Sequence, residues 1–190
     1  KMAISRLPQD RWSWVEINQG ALRRNTRAFK SLLNPRQRLC CVVKADAYGH
    51  GAVACAKIMY ATGADMFAVA TVKEGVELRE GGIVSPILLL SEPPAESIDL
   101  LLEHDIMPSV YTFEFALAYG ERASQLGKIG KYHMVIETGM NRIGVHYADV
   151  IEFRRSIHFH RGIQCDGVFT HFATADEQSG WDYKLQCKRF

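Results

Sequence analysis

The chain has 190 residues, 47% of them hydrophobic and 23% charged, and its formal net charge is +2. This length and composition are typical of a globular domain with a large core. A charge this close to neutral, with no block of like charges, argues against a nucleic-acid or anionic-membrane surface. No apolar run approaches the roughly 20 residues needed to cross a bilayer, and the polar first ten residues do not resemble a signal peptide.

Cysteine usage points to a reducing compartment. The five cysteines are an odd number and show no Cys-x-x-Cys spacing, which argues against both a disulfide framework and a zinc site. His158 and His160 resemble a metal-binding pair, but no cysteine or carboxylate cluster lies at ligand spacing. We therefore predict a cytoplasmic protein without a metal.

The elements are predicted in chain order. Residues 11–17 alternate as in a strand, and Asn18 is a suitable N-cap for a helix that runs to about residue 33, where Asn34 and Pro35 end it. Residues 39–43 are continuously apolar, which predicts a strand buried on both faces. From here strands and helices alternate. Further strands are predicted at 66–70, 87–90, 106–110, 132–137 and 163–170, and helices at 51–60, 72–80, 96–103, 113–126, 148–158 and 181–190.

These elements make six β-then-α units, which favours parallel strands joined by right-handed crossovers. Two folds are compatible with that pattern, the doubly wound open sheet and the (β/α)₈ TIM barrel. Because no dinucleotide-binding glycine fingerprint is present, we predict an incomplete TIM barrel; a closed barrel has eight units and usually about 250 residues.

One segment concentrates chemistry-bearing residues. Residues 42–51 read VVKADAYGHG, so Lys44 directly follows the apolar strand. In a β/α barrel this is the carboxyl-terminal mouth, where active sites lie. A lysine there is costly unless its amine is used or paired, and a neutral amine is the nucleophile that Schiff-base chemistry requires. Glycines after Tyr48 allow close approach of a ligand, and the following helix N-terminus favours phosphate.

The segment closely resembles the cofactor-lysine motif of the alanine racemase family. The resemblance extends along the chain through WVEIN at 14–18, FAVA at 67–70, EGVELR at 74–79, ETGMNRIG at 137–144 and GVFTHFATAD at 167–176. It implies a pyridoxal 5'-phosphate (PLP) enzyme that interconverts L- and D-alanine, supplies D-alanine for peptidoglycan and works as a homodimer. Residues 1–190 would then be its N-terminal barrel domain, truncated before the last barrel units and a C-terminal β domain.

The resemblance also implies roles for four residues. Lys44 would be the catalytic residue that binds PLP covalently and returns a proton to the substrate. Tyr48 would contact the cofactor phosphate, and Arg142 the cofactor's phenolic oxygen and the substrate carboxylate. His171 would lie beside the cofactor ring. Without the motif, Arg142 reads as an exposed turn residue and His171 as a structural histidine.

Two positions depart from the family pattern. Val135 stands where the family commonly has a lysine, often carbamylated, seven residues before the arginine. We therefore expect Arg142 to be held by another partner, an anion or a water, or to be less ordered. Glu137 replaces the usual aspartate, which is a milder change.

Other functions remain open at this point. A serine racemase of the same family is a close variant, and a non-catalytic PLP-binding barrel is a second class, although its usual Ser-Lys-Thr-Lys motif is missing. A third is an open barrel that binds nothing. In a racemase, a tyrosine from the C-terminal domain of a second subunit would serve the opposite face of the substrate. We therefore expect these 190 residues alone to be inactive.

Overall fold

The computed structural model describes residues 15–159, 161–177 and 180–190. Short strands alternate with helices throughout. The strands are β1 (Cys40–Val42), β2 (Met66–Val69), β3 (Ile87–Leu89), β4 (Ile106–Met107), β5 (Ser109–Val110), β6 (Gly130–Glu137), β7 (Val145–His146) and β8 (Ile163–Phe169). The helical segments are α1 (Gln19–Ser31), α2 (Lys44–Gly49), α3 (Ala52–Tyr60), α4 (Val72–Glu80), α5 (Ile98–Glu103, after a 3₁₀ turn at Ala95–Ser97), α6 (Phe113–Gln125), α7 (Val150–Ile157) and α8 (Trp181–Arg189).

All described strand pairs are parallel. One sheet has the order β1-β2-β3-β4, and the other has the order β5-β6-β7 with β8 also on β6. Pro108, which has no backbone N–H, separates β4 from β5, but its carbonyl accepts the N–H of His133 and links the two sheets. The predicted incomplete TIM-type barrel with six βα units is confirmed.

The strands have apolar side chains on both faces. One face packs against the helices in a large core that includes Phe67, Leu89 and Tyr132. The opposite face carries a small cluster of Ala68, Leu88 and Met107, with Phe169 packed against it. Such two-sided burial is what parallel sheets require.

The predicted helices agree well with the structure, because their caps are encoded locally. The side chain of Asn18 accepts the N–H of Ala21 at the start of α1, and Thr112 caps α6. The predicted strand at 11–17 is not confirmed: residues 11–14 lie outside the described residues, and residues 15–17 are not in a strand.

The prediction that the first barrel strand is buried on both faces is wrong. Cys40 and Val42 of β1 are exposed. Among the described residues β1 pairs with β2 alone, and Val42 borders two cavities, so this strand has an open edge that a continuous apolar run does not reveal.

The described residues include neither a membrane-spanning helix nor a cluster of metal-binding side chains. None of their helices has the length and apolar character needed to span a membrane. They contain no group of three or more His, Cys, Asp or Glu side chains that could hold a metal ion, and His160 of the sequence pair lies outside them. The five cysteines are free thiols.

Candidate active site at the barrel mouth

A cavity of about 430 Å³ lies at the carboxyl ends of β1, β2, β3, β6 and β8. Its lining includes all four residues that the sequence selected: Lys44, Tyr48, Arg142 and His171. They come from three chain segments that are far apart in sequence. The volume lies in the range of small-molecule and cofactor sites.

The segment α2, which begins with Lys44, is a left-handed turn. Ala45, Asp46, Ala47 and Tyr48 all have positive φ, between 51° and 55°, with ψ between 39° and 50°. A left-handed turn of non-glycine residues costs roughly 1–2 kcal/mol per residue, because each Cβ approaches the next carbonyl oxygen. Such strain persists only where the surroundings hold it in place, and it is concentrated at functional sites.

Three side chains hold this turn. A carboxylate oxygen of Glu74 accepts the N–H of Ala45 at 2.8 Å. The carboxylate of Asp46 accepts the N–H of Ala52 at 2.7 Å, and the ring of His50 contacts the carbonyl oxygen of Ala47 at 2.9 Å. The Asp46 carboxylate thus already occupies the start of α3, where the sequence had suggested a phosphate.

Lys44 and Tyr48 reach the cavity from the two ends of this turn. Lys44 is half-buried, and its amine forms no hydrogen bond or ion pair with any described residue. Tyr48 is 60% exposed although it is a large aromatic residue. Burying its aromatic ring against a ligand would be favourable, and its hydroxyl would remain available to a polar group.

Arg142 lies on the loop after β6. The carboxylate of Glu137 accepts the backbone N–H groups of Gly139 and Arg142, which closes this loop. Gly139 has a φ of 151° and Asn141 a φ of 56°, so the loop uses residue types that tolerate positive φ. The Arg142 guanidinium is exposed and forms no hydrogen bond or ion pair with a described residue.

Val135 lies at the wall of the same cavity. It is 3% exposed, and its side chain is close to the backbone of Gly144, where an added Cβ would approach Val135 Cγ1 within 3.1 Å. The wall at this point is therefore apolar and tightly packed, and position 135 supplies no acidic partner for Arg142.

His171 follows β8 and is exposed at the cavity, where its ring has no hydrogen-bond partner among the described side chains. Its backbone carbonyl accepts a hydrogen bond from Gln186 at 2.9 Å. The position of the imidazole ring is therefore determined by the backbone of His171.

Sequence reasoning assigned no role to two residues that support this site. Glu74 forms a capping box with Thr71 at the start of α4, and the Thr-x-x-Glu spacing at 71–74 is a recognisable signal for it. Gln186 on α8 bonds both loops that carry Arg142 and His171. No sequence pattern distinguishes Gln186 from an exposed helical glutamine.

The charges at the cavity suit an anionic ligand that bears an aldehyde. The ammonium of Lys44 and the guanidinium of Arg142 both line it. The carboxylate of Glu137 also lines it, but its oxygens accept loop N–H groups. Arginine matches planar carboxylates and phosphates, and a lysine amine condenses with carbonyl groups. The residues present therefore fit PLP.

The fold and this cavity define a class: β/α barrels with a lysine at the carboxyl-terminal mouth. The family model for the alanine racemase N-terminal domain matches residues 17–190. The chain belongs to this family.

Individual relatives agree with the family match. The alanine racemase of Carboxydothermus hydrogenoformans is 43% identical over 177 residues, which cover 93% of this chain and 48% of that protein. The alanine racemase structure from Bacillus anthracis with bound L-Ala-P has a TM-score of 0.88 at 33% identity and covers 97% of this chain and 48% of that one. The chain thus spans about half the length of the curated relatives it matches.

Related folds also include a racemase with a different name. A histidine racemase from Leuconostoc mesenteroides subsp. sake has a TM-score of 0.83 at 27% identity, and the match covers 90% of this chain and 46% of that one. The barrel half is therefore shared by proteins named for different amino acids.

Proposed function

We propose that this chain is the N-terminal barrel domain of a PLP-dependent alanine racemase and that Lys44 is the residue that binds the cofactor covalently. The observation that carries the proposal is that Lys44, Tyr48, Arg142 and His171 line one cavity. Family membership, and alanine racemase relatives at 37–43% identity, support alanine as the substrate.

When bound, PLP acidifies the α-proton of an amino acid by drawing electrons into its ring. Lys44 would hold the cofactor through its aldehyde group, and its amine would move a proton on one face of the substrate α-carbon. The hydroxyl of Tyr48 would donate a hydrogen bond to the cofactor phosphate. Arg142 would bind the substrate carboxylate through its planar fork, and His171 would lie beside the cofactor ring.

Racemisation also needs an acid/base group on the opposite face of the substrate. In this proposal that group is a tyrosine from a C-terminal β domain of a second subunit, so the working enzyme is a homodimer. The 190-residue chain by itself is then expected to form no D-alanine above a protein-free PLP control.

Covalent labelling tests the role of Lys44. The chain is incubated with PLP, reduced with borohydride and digested, and the labelled lysines are identified by mass spectrometry. We expect one dominant adduct, at Lys44. The Lys44→Ala variant should lose it, and Lys57→Ala, on the exposed face of α3, should retain it. Labelling spread evenly over surface lysines would refute the proposal.

The substrate is tested separately in the full-length protein that contains this chain. Initial rates with L-alanine, L-serine and L-histidine are compared, and we expect the highest kcat/KM with alanine. A preference for serine would establish the serine racemase alternative. A labelled Lys44 without turnover of any amino acid would indicate a non-catalytic PLP-binding barrel.

A further inference from the structure

Gln186 is a buried polar residue on α8 whose amide is bonded on both sides. It is 1% exposed. Its Nε2 donates to Thr138 Oγ1 at 3.0 Å and to the carbonyl oxygen of His171 at 2.9 Å, and its Oε1 accepts the N–H of Ala173 at 3.0 Å. Both amide hydrogens and the amide oxygen are therefore used, which fixes the side-chain orientation.

These hydrogen bonds connect the ends of two strands that carry cavity residues. Thr138 directly follows β6 and begins the loop to Arg142, whereas His171 follows β8. The hydroxyls of Thr138 and Thr170 are also bonded to each other at 2.7 Å. The amide of Gln186 thus joins the two loops from a third element.

A second residue of α8 binds the same loop. The guanidinium of Arg189 donates to the carbonyl oxygen of Thr138 at 2.9 Å and lies 4.7 Å from the ring centroid of Tyr147. Gln186 also packs against Gly139, where an added Cβ would approach its Cγ within 3.1 Å. The Arg142 loop is therefore held by hydrogen bonds and by close packing.

We infer that Gln186 is a positioning residue that sets the placement of Arg142 relative to His171 at the cavity; the ligand this placement serves rests on the proposed function. The His171 ring and the Arg142 guanidinium have no hydrogen-bond partner among the described side chains, so the backbone at each residue determines where they lie. A buried side-chain network that is fully bonded gives such a backbone a single arrangement.

Hydrogen exchange tests the positioning without any cofactor. The decisive amides are those of Gly139 and Arg142, which are bonded to Glu137 and not to Gln186. In Gln186→Met, which keeps the length of the side chain, we expect both to exchange about tenfold faster. Lys188→Met, on the exposed side of the same helix, should leave them unchanged. Unchanged exchange in Gln186→Met would overturn the inference.

A second pair of variants tests the same hydrogen-bond network in case Gln186→Met folds poorly. Thr138→Val removes the hydroxyl that Gln186 and Thr170 share, and Thr138→Ser retains it. We expect faster exchange at Arg142 in the valine variant and exchange close to that of the unchanged chain in the serine variant. Equal exchange in the two variants would contradict a role for this hydrogen-bond network.

Titration with PLP separates positioning from general stability. We expect Gln186→Met to raise the dissociation constant for PLP about threefold or more. Binding is measured by the visible absorbance of the bound cofactor. Ile157→Val, a core substitution at the last residue of α7, should lower stability to a similar degree without changing PLP affinity. If the unchanged chain binds no PLP, the proposed function fails, and the exchange data still decide the inference about Gln186.

Discussion

The carboxylate of Glu74 binds the N–H of Ala45, the residue that directly follows Lys44, across 29 positions of sequence. The other oxygen of the same carboxylate accepts the N–H groups of Ala70 and Thr71 after β2. One side chain therefore caps α4 and fixes the start of the left-handed turn beside the candidate cofactor lysine.

Replacing Glu74 is expected to affect both stability and cofactor attachment. In Glu74→Gln one oxygen becomes an NH₂ group that faces backbone donors, so we expect about 1 kcal/mol lower free energy of unfolding and slower labelling of Lys44 by PLP and borohydride. Urea denaturation and time-resolved mass spectrometry measure the two effects. Glu77→Gln, on the exposed face of the same helix, should change neither. Labelling at the original rate would show that Glu74 acts on the fold alone.

The left-handed turn reverses the usual effect of an alanine-to-glycine substitution. Ala45 has a φ of 51°, which glycine adopts without steric cost, so Ala45→Gly is expected to raise the free energy of unfolding by up to about 1 kcal/mol. Ala54→Gly, at an exposed position of right-handed α3, should lower it by about 0.5–1 kcal/mol. Urea denaturation of both variants measures the direction of each change in the free energy of unfolding. A loss of stability in Ala45→Gly would contradict the left-handed geometry.

Regular elements were predictable because their signals are local. The helix at Val72–Glu80 follows from its periodicity and the glycines behind it, and the start of α6 follows from Thr112. The residues of the barrel mouth were selected by the family resemblance, through its motifs at 42–51, 137–144 and 167–176. The left-handed turn was not predicted, because two of its four residues are alanines, which favour right-handed helices when nothing else intervenes.

The supporting contacts were beyond the sequence for a different reason. Gln186 is 48 positions from Thr138, and its partners are mostly backbone atoms, which leave no residue-specific pattern. The exposure of β1 was also missed, since apolar content reports which side chains prefer burial and does not report whether a strand has neighbours on both edges.

The side chain of Arg79 connects the loop after α4 to the loop after α5 through hydrogen bonds to backbone carbonyl oxygens. Its guanidinium donates to the carbonyl oxygens of Ile83, Ser85, His104 and Asp105 at 2.7–2.8 Å. A lysine cannot reproduce this fork, so Arg79→Lys is expected to lower the free energy of unfolding by about 2 kcal/mol or more.

Thermal and urea denaturation measure this loss. Arg155→Lys, on the exposed face of α7, should stay within about 0.5 kcal/mol of the unchanged chain. Equal stability of the two variants would mean that water replaces the Arg79 hydrogen bonds at little cost.

Asp65 gives the stability a defined pH dependence. Hydrogen bonds from the Lys30 ammonium and from the backbone N–H of Leu39 hold the pKa of this carboxyl below its usual value of 3.8. The pKa of Asp65 is lower in the folded state than in the unfolded state. The contribution of the ionised Asp65 side chain to the free energy of unfolding is therefore fully present above the unfolded-state pKa, and it is lost as the pH falls through the folded-state pKa.

The matching variant is Asp65→Asn, compared with the unchanged chain by urea denaturation at several pH values. We expect a constant difference in unfolding free energy above about pH 5 that narrows below about pH 4. Asp176→Asn, at an exposed turn, serves as the control and should show no such narrowing. A difference that persists unchanged at about pH 3 would indicate that Asp65 acts through geometry rather than charge.

The handedness of the turn after Lys44 also limits which sequences this site can explore. A positive φ at four successive positions is least costly for glycine, asparagine and aspartate, is adopted here at a cost by alanine and tyrosine, and strongly disfavours β-branched residues. Selection for a new ligand could therefore vary the cavity wall at Val135 or Met140 more freely than the segment beside the amine. Adaptation of this barrel to other ligands would be concentrated away from the lysine, although the proposed chemistry takes place at the lysine.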